Sequence, residues 1–274
     1  MSNYGIDVSS YNGIIDWKKV KAAGCGHAVL KITQKNLSAD ARFSANLKGV
    51  KANGIPYSVY RYVYESTEEN AVTAAKAVVQ LLKRYKAASD TVVWWDVEDK
   101  SIQSAAKTTL TPSIIAAQKV ITDAGFGFGV YCGLYWYRSV LNTDGLNCPF
   151  WIARYPNTKD ISFATPPAEK YRPAIKHALW GWQYSSAGKV PGINHATDLN
   201  MVYGVTGLYR TLRRGCKGDD VKELQLALNQ NGADLKDDGI FGPVTEAAVK
   251  EYQLKNGLTP DGIVGPLTHA KLFG

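Results

Sequence analysis

The sequence has no run of about 18 apolar residues, the length a membrane-crossing helix requires. The nearest stretch, 125–137, is short, broken by glycine, and aromatic rather than aliphatic. Membrane insertion is therefore not expected. The opening segment MSNYGIDVSSYNG has neither a basic start nor an apolar core and already carries Asp7, so no secretory leader is expected. Cys25, Cys132, Cys148 and Cys216 lie far apart, with no CxxC and no histidine at zinc-ligand spacing. Neither a metal site nor a disulfide framework is indicated. The cysteines read as free thiols, a single disulfide being the alternative in an oxidising medium. GxGxxG after the first strand and GxSxG anywhere are both missing, which argues against a dinucleotide cofactor and against serine-hydrolase chemistry. No cofactor is expected.

What remains is an ordinary globular composition: 274 residues, 45% hydrophobic and 11% aromatic, enough for a sizeable core. The net charge is +8, and all of it falls in the first 207 residues, because 208–274 hold nine basic and nine acidic side chains. Such an excess favours an anionic partner. Nucleic acid is not expected, since the cations are scattered along the sequence without a basic helix or zinc-knuckle spacing. An anionic cell wall fits. Nothing in the sequence fixes an oligomeric state.

Short apolar runs alternate with amphipathic stretches over the first 150 residues, as in repeated strand-then-helix units. Strands are expected at 4–8, 27–33, 57–64, 91–97, 128–132, 150–153, 178–184 and 195–201, the last three separated by loops. Helices are expected at 16–23, 39–53, 67–85 and from Thr111, read as an N-cap before Pro112, to Gly125. The predicted fold is an α/β protein with an irregular β/α barrel of about eight strands and five main helices, missing its last regular helices. A doubly wound open sheet is the alternative. Beyond it, Asp238-Gly-Ile-Phe-Gly-Pro-Val-Thr and Asp261-Gly-Ile-Val-Gly-Pro-Leu-Thr form a repeat, each copy leading into a helix. With a third helix at 220–231 these predict a small all-α module. The expected division is a barrel at 1–205, a short linker at 206–212 and a three-helix module at 213–274.

The chemistry concentrates in Val92-Val-Trp-Trp-Asp96-Val-Glu98-Asp99, an apolar strand ending in acids. Residues i and i+2 of a strand share a face, so Asp96 and Glu98 project together. Two such carboxyls repel when both are ionised, and one is pushed to hold its proton, the condition for cleaving a glycosidic bond. A pair of solvated acids in the following loop is the alternative. Asp7 and Asp198 end or occupy strands that neighbour each other in a closed barrel, so they are placed at the same mouth. Tyr60, Tyr62, Tyr64, Tyr131, Tyr135, Trp136, Trp151, Tyr155, Trp180, Trp182 and Tyr184 crowd these strand ends. Rings with polar handles suit sugars, although about half are expected in the core.

Gly5-Ile-Asp7-Val-Ser, Trp94-Trp-Asp96-Val-Glu98, Trp151-Ile-Ala-Arg-Tyr155, Trp182-Gln-Tyr184 and Asp198-Leu-Asn200, in this order, resemble the family 25 glycoside hydrolases, lysozymes of the N-acetylmuramidase type. That resemblance implies hydrolysis of the β-1,4 bond between N-acetylmuramic acid and N-acetylglucosamine in bacterial peptidoglycan. It implies Glu98 as general acid with Asp96 beside it, and Asp7 and Asp198 in the same pocket. Tyr62, Tyr131, Trp151, Tyr155 and Gln183 are the residues expected to contact sugar. Leu212 to Gly274 similarly resembles the type 1 peptidoglycan-binding domain. Together the two resemblances imply a phage endolysin, made in the host cytoplasm and released through a holin pore. Two departures stand out. Thr33-Gln34-Lys35 replaces a Thr-Glu-Gly segment, and Tyr60-Arg61-Tyr62 replaces Tyr-His-Tyr, with Arg61 expected to point away from the groove. Rival readings are a wall-binding protein without hydrolysis, a glycosidase of another amino-sugar polymer such as chitin, and a nucleic-acid binder.

Overall fold

The apolar runs become eight strands: β1 (Tyr4–Val8), β2 (His27–Lys31), β3 (Tyr57–Tyr62), β4 (Val92–Asp96), β5 (Gly127–Gly133), β6 (Phe150–Ala153), β7 (Leu179–Gly188) and β8 (Thr197–Val202). In the computed structural model, which describes residues 3–88, 91–156, 162–203 and 212–273, they close into a barrel in sequence order. The open-sheet alternative is thereby excluded. Neighbours from β1 to β7 pair in parallel, whereas β8 is antiparallel to both β7 and β1. Connection length explains the reversal. Residues 189–196 are too few for a crossover, which takes a dozen residues or more, so the chain turns back on itself.

Between the early strands lie α1 (Trp17–Ala22), α2 (Phe43–Ala52), α3 (Glu68–Arg84) and α4 (Thr111–Asp123), with further 3-10 and π turns over 100–110. Asp16 caps α1 by accepting from the Lys19 amide, and Thr67 caps α3 by accepting from the Asn70 amide. Gly24 follows α1 with φ +98°, a conformation that suits a residue without Cβ. Two helix starts differ from expectation. Thr111 is not a cap: it continues a π turn, has helical angles, and donates its hydroxyl to the Asn142 carbonyl. Helix α2 begins at Phe43 because the preceding segment is tied elsewhere, by the Thr33–Ala39 bridge and by Asp40, whose carboxylate accepts from the Ser10 and Arg42 amides.

Strand alternation sorts the side chains into two sets. Ile6, Leu30, Val59, Trp95, Val130 and Ile152 point outward and form one continuous core with the helices. Trp94, Trp151 and Trp180 point inward and plug the lower barrel, with the Trp94 and Trp180 rings 4.4 Å apart and the Trp94 indole donating to Ser58. Facing them, Gly129 leaves the space: a Cβ there would lie 2.3 Å from the Trp94 ring. Large rings on some strands thus require glycine on others.

The chain divides into two compact units, Met1–Val205 and Thr206–Gly274. The expected linker lies outside the described residues except for Leu212. In the second unit α5 (Asp219–Gln230), α6 (Pro243–Lys255) and α7 (Pro266–Phe273) enclose Val221, Leu224, Phe241 and Val249. The sequence repeat has a physical basis here. Gln225 of α5 donates to Asp238, the Ile240 carbonyl and Thr245, and accepts from the Gly239 amide. Gln253 of α6 repeats this with Asp261, the Ile263 carbonyl, Thr268 and the Gly262 amide. Each Asp-Gly-Ile-x-Gly-Pro-x-Thr loop is therefore wound around one buried glutamine, which supplies the hydrogen bonds a buried loop otherwise lacks.

Candidate active site

Parallel strands deliver their C-terminal ends to one mouth, and four carboxyls arrive there. Asp96 ends β4, Glu98 follows two residues on, and Asp7 of β1 lies directly opposite Asp198 of β8 in the antiparallel register. Asp7 and Asp96 form the floor, 5% and 4% exposed, while Glu98 and Asp198 are half-buried and open to the groove. All four acids placed at the mouth by sequence are brought together.

A hydrogen-bonded layer fixes the floor. Trp151 donates its indole N–H to Asn200 (2.8 Å), and Asn200 donates its amide to Asp7 (2.8 Å). Gln183 donates to the same Asp7 oxygen (3.0 Å) and accepts from the hydroxyls of Tyr131 and Tyr155. In this orientation the Gln183 carbonyl faces the two tyrosines and its amide group meets Asp7. Trp151 and Gln183 are both buried, with these polar atoms engaged in supporting Asp7. Tyr131 is also buried, with its hydroxyl in hydrogen-bonding reach of Glu98. Tyr62 is half-buried and Tyr155 is exposed.

Burial raises every carboxyl of the cluster, and for Asp7, Asp96 and Glu98 the neighbouring acids add to it. Asp7 is held well above the ordinary range, first by burial and then by Asp198. For Asp96 burial again leads, followed by the charge of Glu98; its Oδ1 has no hydrogen-bond partner among the described residues. Burial pushes Asp198 up to about 6, offset in part by a hydrogen bond with Asp7. Glu98 is raised by burial and then by Asp198. Burial therefore drives all four carboxyls toward their protonated forms, Asp7 and Asp96 on the floor most strongly.

Sequence reasoning passed over Lys31. Alternation along β2 turns it inward with Val29, and its ammonium lies 5.9 Å from the Tyr60 ring and 5.5 Å from the Tyr62 ring. It is the cation that favours ionisation of Asp96 and Glu98. The available signal was a lysine closing an otherwise apolar strand. Arg61 points away from the barrel interior as expected, yet it is fully buried. It donates to the Thr33 hydroxyl (2.8 Å), the Gln34 carbonyl (2.9 Å) and Glu65 (2.5 Å). The two departures from the family pattern are thus in contact, Arg61 holding the segment that contains Gln34 and Lys35.

The described residues contain no group of three or more His, Cys, Asp or Glu placed to hold a metal, and no helix long and apolar enough to cross a membrane. Cys25, Cys132 and Cys148 are buried free thiols. Paired carboxyls at the C-terminal mouth of a β/α barrel define a glycosidase-type site. Residues 6–193 match the glycosyl hydrolases family 25, and the chain belongs to that family; residues 217–272 match a peptidoglycan binding domain. An autolytic lysozyme of Clostridium acetobutylicum is 30% identical over 261 residues, covering 93% of this chain and 74% of the relative. The lysozyme of Lactococcus phage mv1 is 23% identical over 171 residues, covering 59% of this chain and 83% of its own. Among solved structures, the modular autolysin LytC of Streptococcus pneumoniae superposes with a TM-score of 0.57 at 26% identity. That match covers 73% of this chain but spans less than half of LytC, 46%.

Proposed function

We propose that this glycoside hydrolase cleaves the β-1,4 bond between N-acetylmuramic acid and N-acetylglucosamine in bacterial peptidoglycan, and that its second unit holds it on the wall. The observation that carries the reading is the gathering of Glu98, Asp96, Asp7 and Asp198 at one mouth of the barrel, where burial and the neighbouring Asp198 raise the half-buried Glu98 carboxyl. Glu98 donates its proton to the glycosidic oxygen as the bond to C1 breaks. The substrate's 2-acetamido oxygen closes on C1 while its N–H is oriented by Asp96, and water then attacks C1 and returns a proton to Glu98. Retention of configuration follows; an inverted anomer in the first product seen by NMR would exclude this route. The family and the phage relative also support an endolysin role in host lysis, made inside the host and released to the wall.

The deciding experiment compares wild type with Glu98→Gln on purified peptidoglycan, measuring new reducing ends and new free amines separately. Reducing ends on muramic acid that vanish in the variant support the reading. Amines alone, or reducing ends that persist in the variant, overturn it.

A further inference from the structure

Along the sequence the cations look scattered, but between Trp17 and Tyr64 nine basic residues face a single acid, Asp40, and that acid is buried. The fold gathers four of these charges, Lys18, Lys21, Lys48 and Lys51, on one side together with three more from the end of the next helix. Helix α1 exposes Lys18 and Lys21, α2 exposes Lys48 and Lys51, and the end of α3 exposes Lys83, Arg84 and Lys86. Hydrogen bonds join the three helix ends in order. Lys21 donates to the Gly54 carbonyl just past α2 (3.3 Å), and Lys51 donates to the Lys86 carbonyl just past α3 (2.7 Å). The result is a continuous basic band. Because these helices run opposite to the strands they follow, the joined ends lie at the end of the barrel away from the carboxyls.

Helix dipoles account for part of this arrangement, since cations favour the last turn. They do not account for Lys18, in the first turn of α1 where a cation opposes the dipole, or for Lys48 in the middle of α2. Among the described residues, Lys18, Lys48, Lys83, Arg84 and Lys86 form no ion pair. Between α2 and the end of α3 the band borders a shallow groove whose apolar side is Leu47, Ala52 and Tyr85 and whose charged side is Lys48 and Lys51. Lysines around an apolar floor suit a flexible chain that alternates phosphate with short aliphatic polyol. Nucleic acid is a poorer match, because Tyr85, the ring beside the groove, is already packed on Phe43 and on Arg84.

We propose that this band is a second wall-binding surface, for linear polyol-phosphate polymer, used while the mouth at the other end of the barrel engages glycan. The proposal rests on the wall-hydrolase reading above for its setting, and its test is separable from it. Binding of the full chain to soluble poly(glycerol phosphate) is measured by calorimetry at several salt concentrations. Wild type should bind, with log K falling linearly in log salt. Lys48→Glu/Lys83→Glu/Lys86→Glu should weaken binding at least tenfold and flatten that slope by about two, the fall expected on losing about three phosphate contacts. Lys119→Glu/Lys170→Glu/Lys176→Glu, equal in net charge but elsewhere on the barrel, should stay within threefold of wild type. The corresponding Gln variants repeat the comparison without charge reversal.

No binding by wild type, or equal weakening in both sets, overturns the proposal; so does tighter binding of DNA oligonucleotide at matched phosphate concentration. Hydrolysis of peptidoglycan stripped of anionic polymer should be unchanged in every variant. Absence of hydrolysis in wild type itself would count against the muramidase reading while leaving the binding result to stand.

Discussion

At the residue scale the site works by crowding acids where water cannot screen them. Glu98→Gln removes the proton donor, and a loss of about 10²- to 10⁴-fold in release of reducing ends is expected. Its melting temperature should hold or rise, because one member of a mutually repelling cluster has been neutralised; a marked fall would mean that Glu98 is a structural residue. Asp198→Asn gives a sharper test. The Asp198 charge is one of the groups that make Glu98 hold its proton, so removing it lets Glu98 ionise at lower pH. The alkaline limb of the kcat/KM profile should therefore move to lower pH, and a limb that stays in place would separate Asp198 from the acid.

At the scale of elements, close approach decides several positions. Gly49 of α2 lies against Trp17 of α1 so tightly that a Cβ would sit 2.0 Å from the indole Cδ1. Gly49→Ala is expected to destabilise the barrel by about 1 to 3 kcal/mol through overpacking, despite alanine's better helix propensity, as measured by denaturant midpoint. Local signals located these elements well, because hydrophobic period, caps and the glycine after α1 are all short-range. They failed where a distant partner intervened: Thr111 was drawn into a longer helical run and bonded to Asn142, and the segment before α2 was tied through Asp40 to Ser10 and Ile32, just past β1 and β2.

At the scale of the whole chain the two units should respond differently to mutation and to pH. Gln253→Ala removes four hydrogen bonds from inside the second unit and should cost it about 2 to 4 kcal/mol. Co-sedimentation with cell walls should drop while hydrolysis of a short soluble glycan persists; loss of both would tie the second unit to catalysis. The four mouth carboxyls are raised in the folded state, so the stability they contribute is complete below their unfolded values and is lost as pH rises through the folded ones, about 6 for Asp198. The first unit should thus melt higher at about pH 5 than at about pH 7. Asp238 and Glu246 are lowered instead, by hydrogen bonds from the Ile240 amide and from Lys250. Their contribution is present above the ordinary carboxyl range and is lost as pH falls through the folded values. Between about pH 5 and pH 7 the second unit should therefore hold its melting temperature, and calorimetry showing it fall together with the first unit would contradict this division.

The amino-acid sequence by itself determined the strand and helix periods, the repeat, the acids at the strand ends and the order of motifs that marks the family. These depend on neighbours within a few residues, or on chemistry that a short motif carries whole. Only the tertiary structure decided which polar groups are satisfied. Trp151 and Gln183 brace Asp7 because their partners Asn200, Tyr131 and Tyr155 are brought to them from other parts of the barrel. Lys31 acquires a place among the acids only once β2 lies between β1 and β3. Burial and hydrogen-bond partnership are properties of chain segments far apart in sequence, and closing the barrel is what sets them.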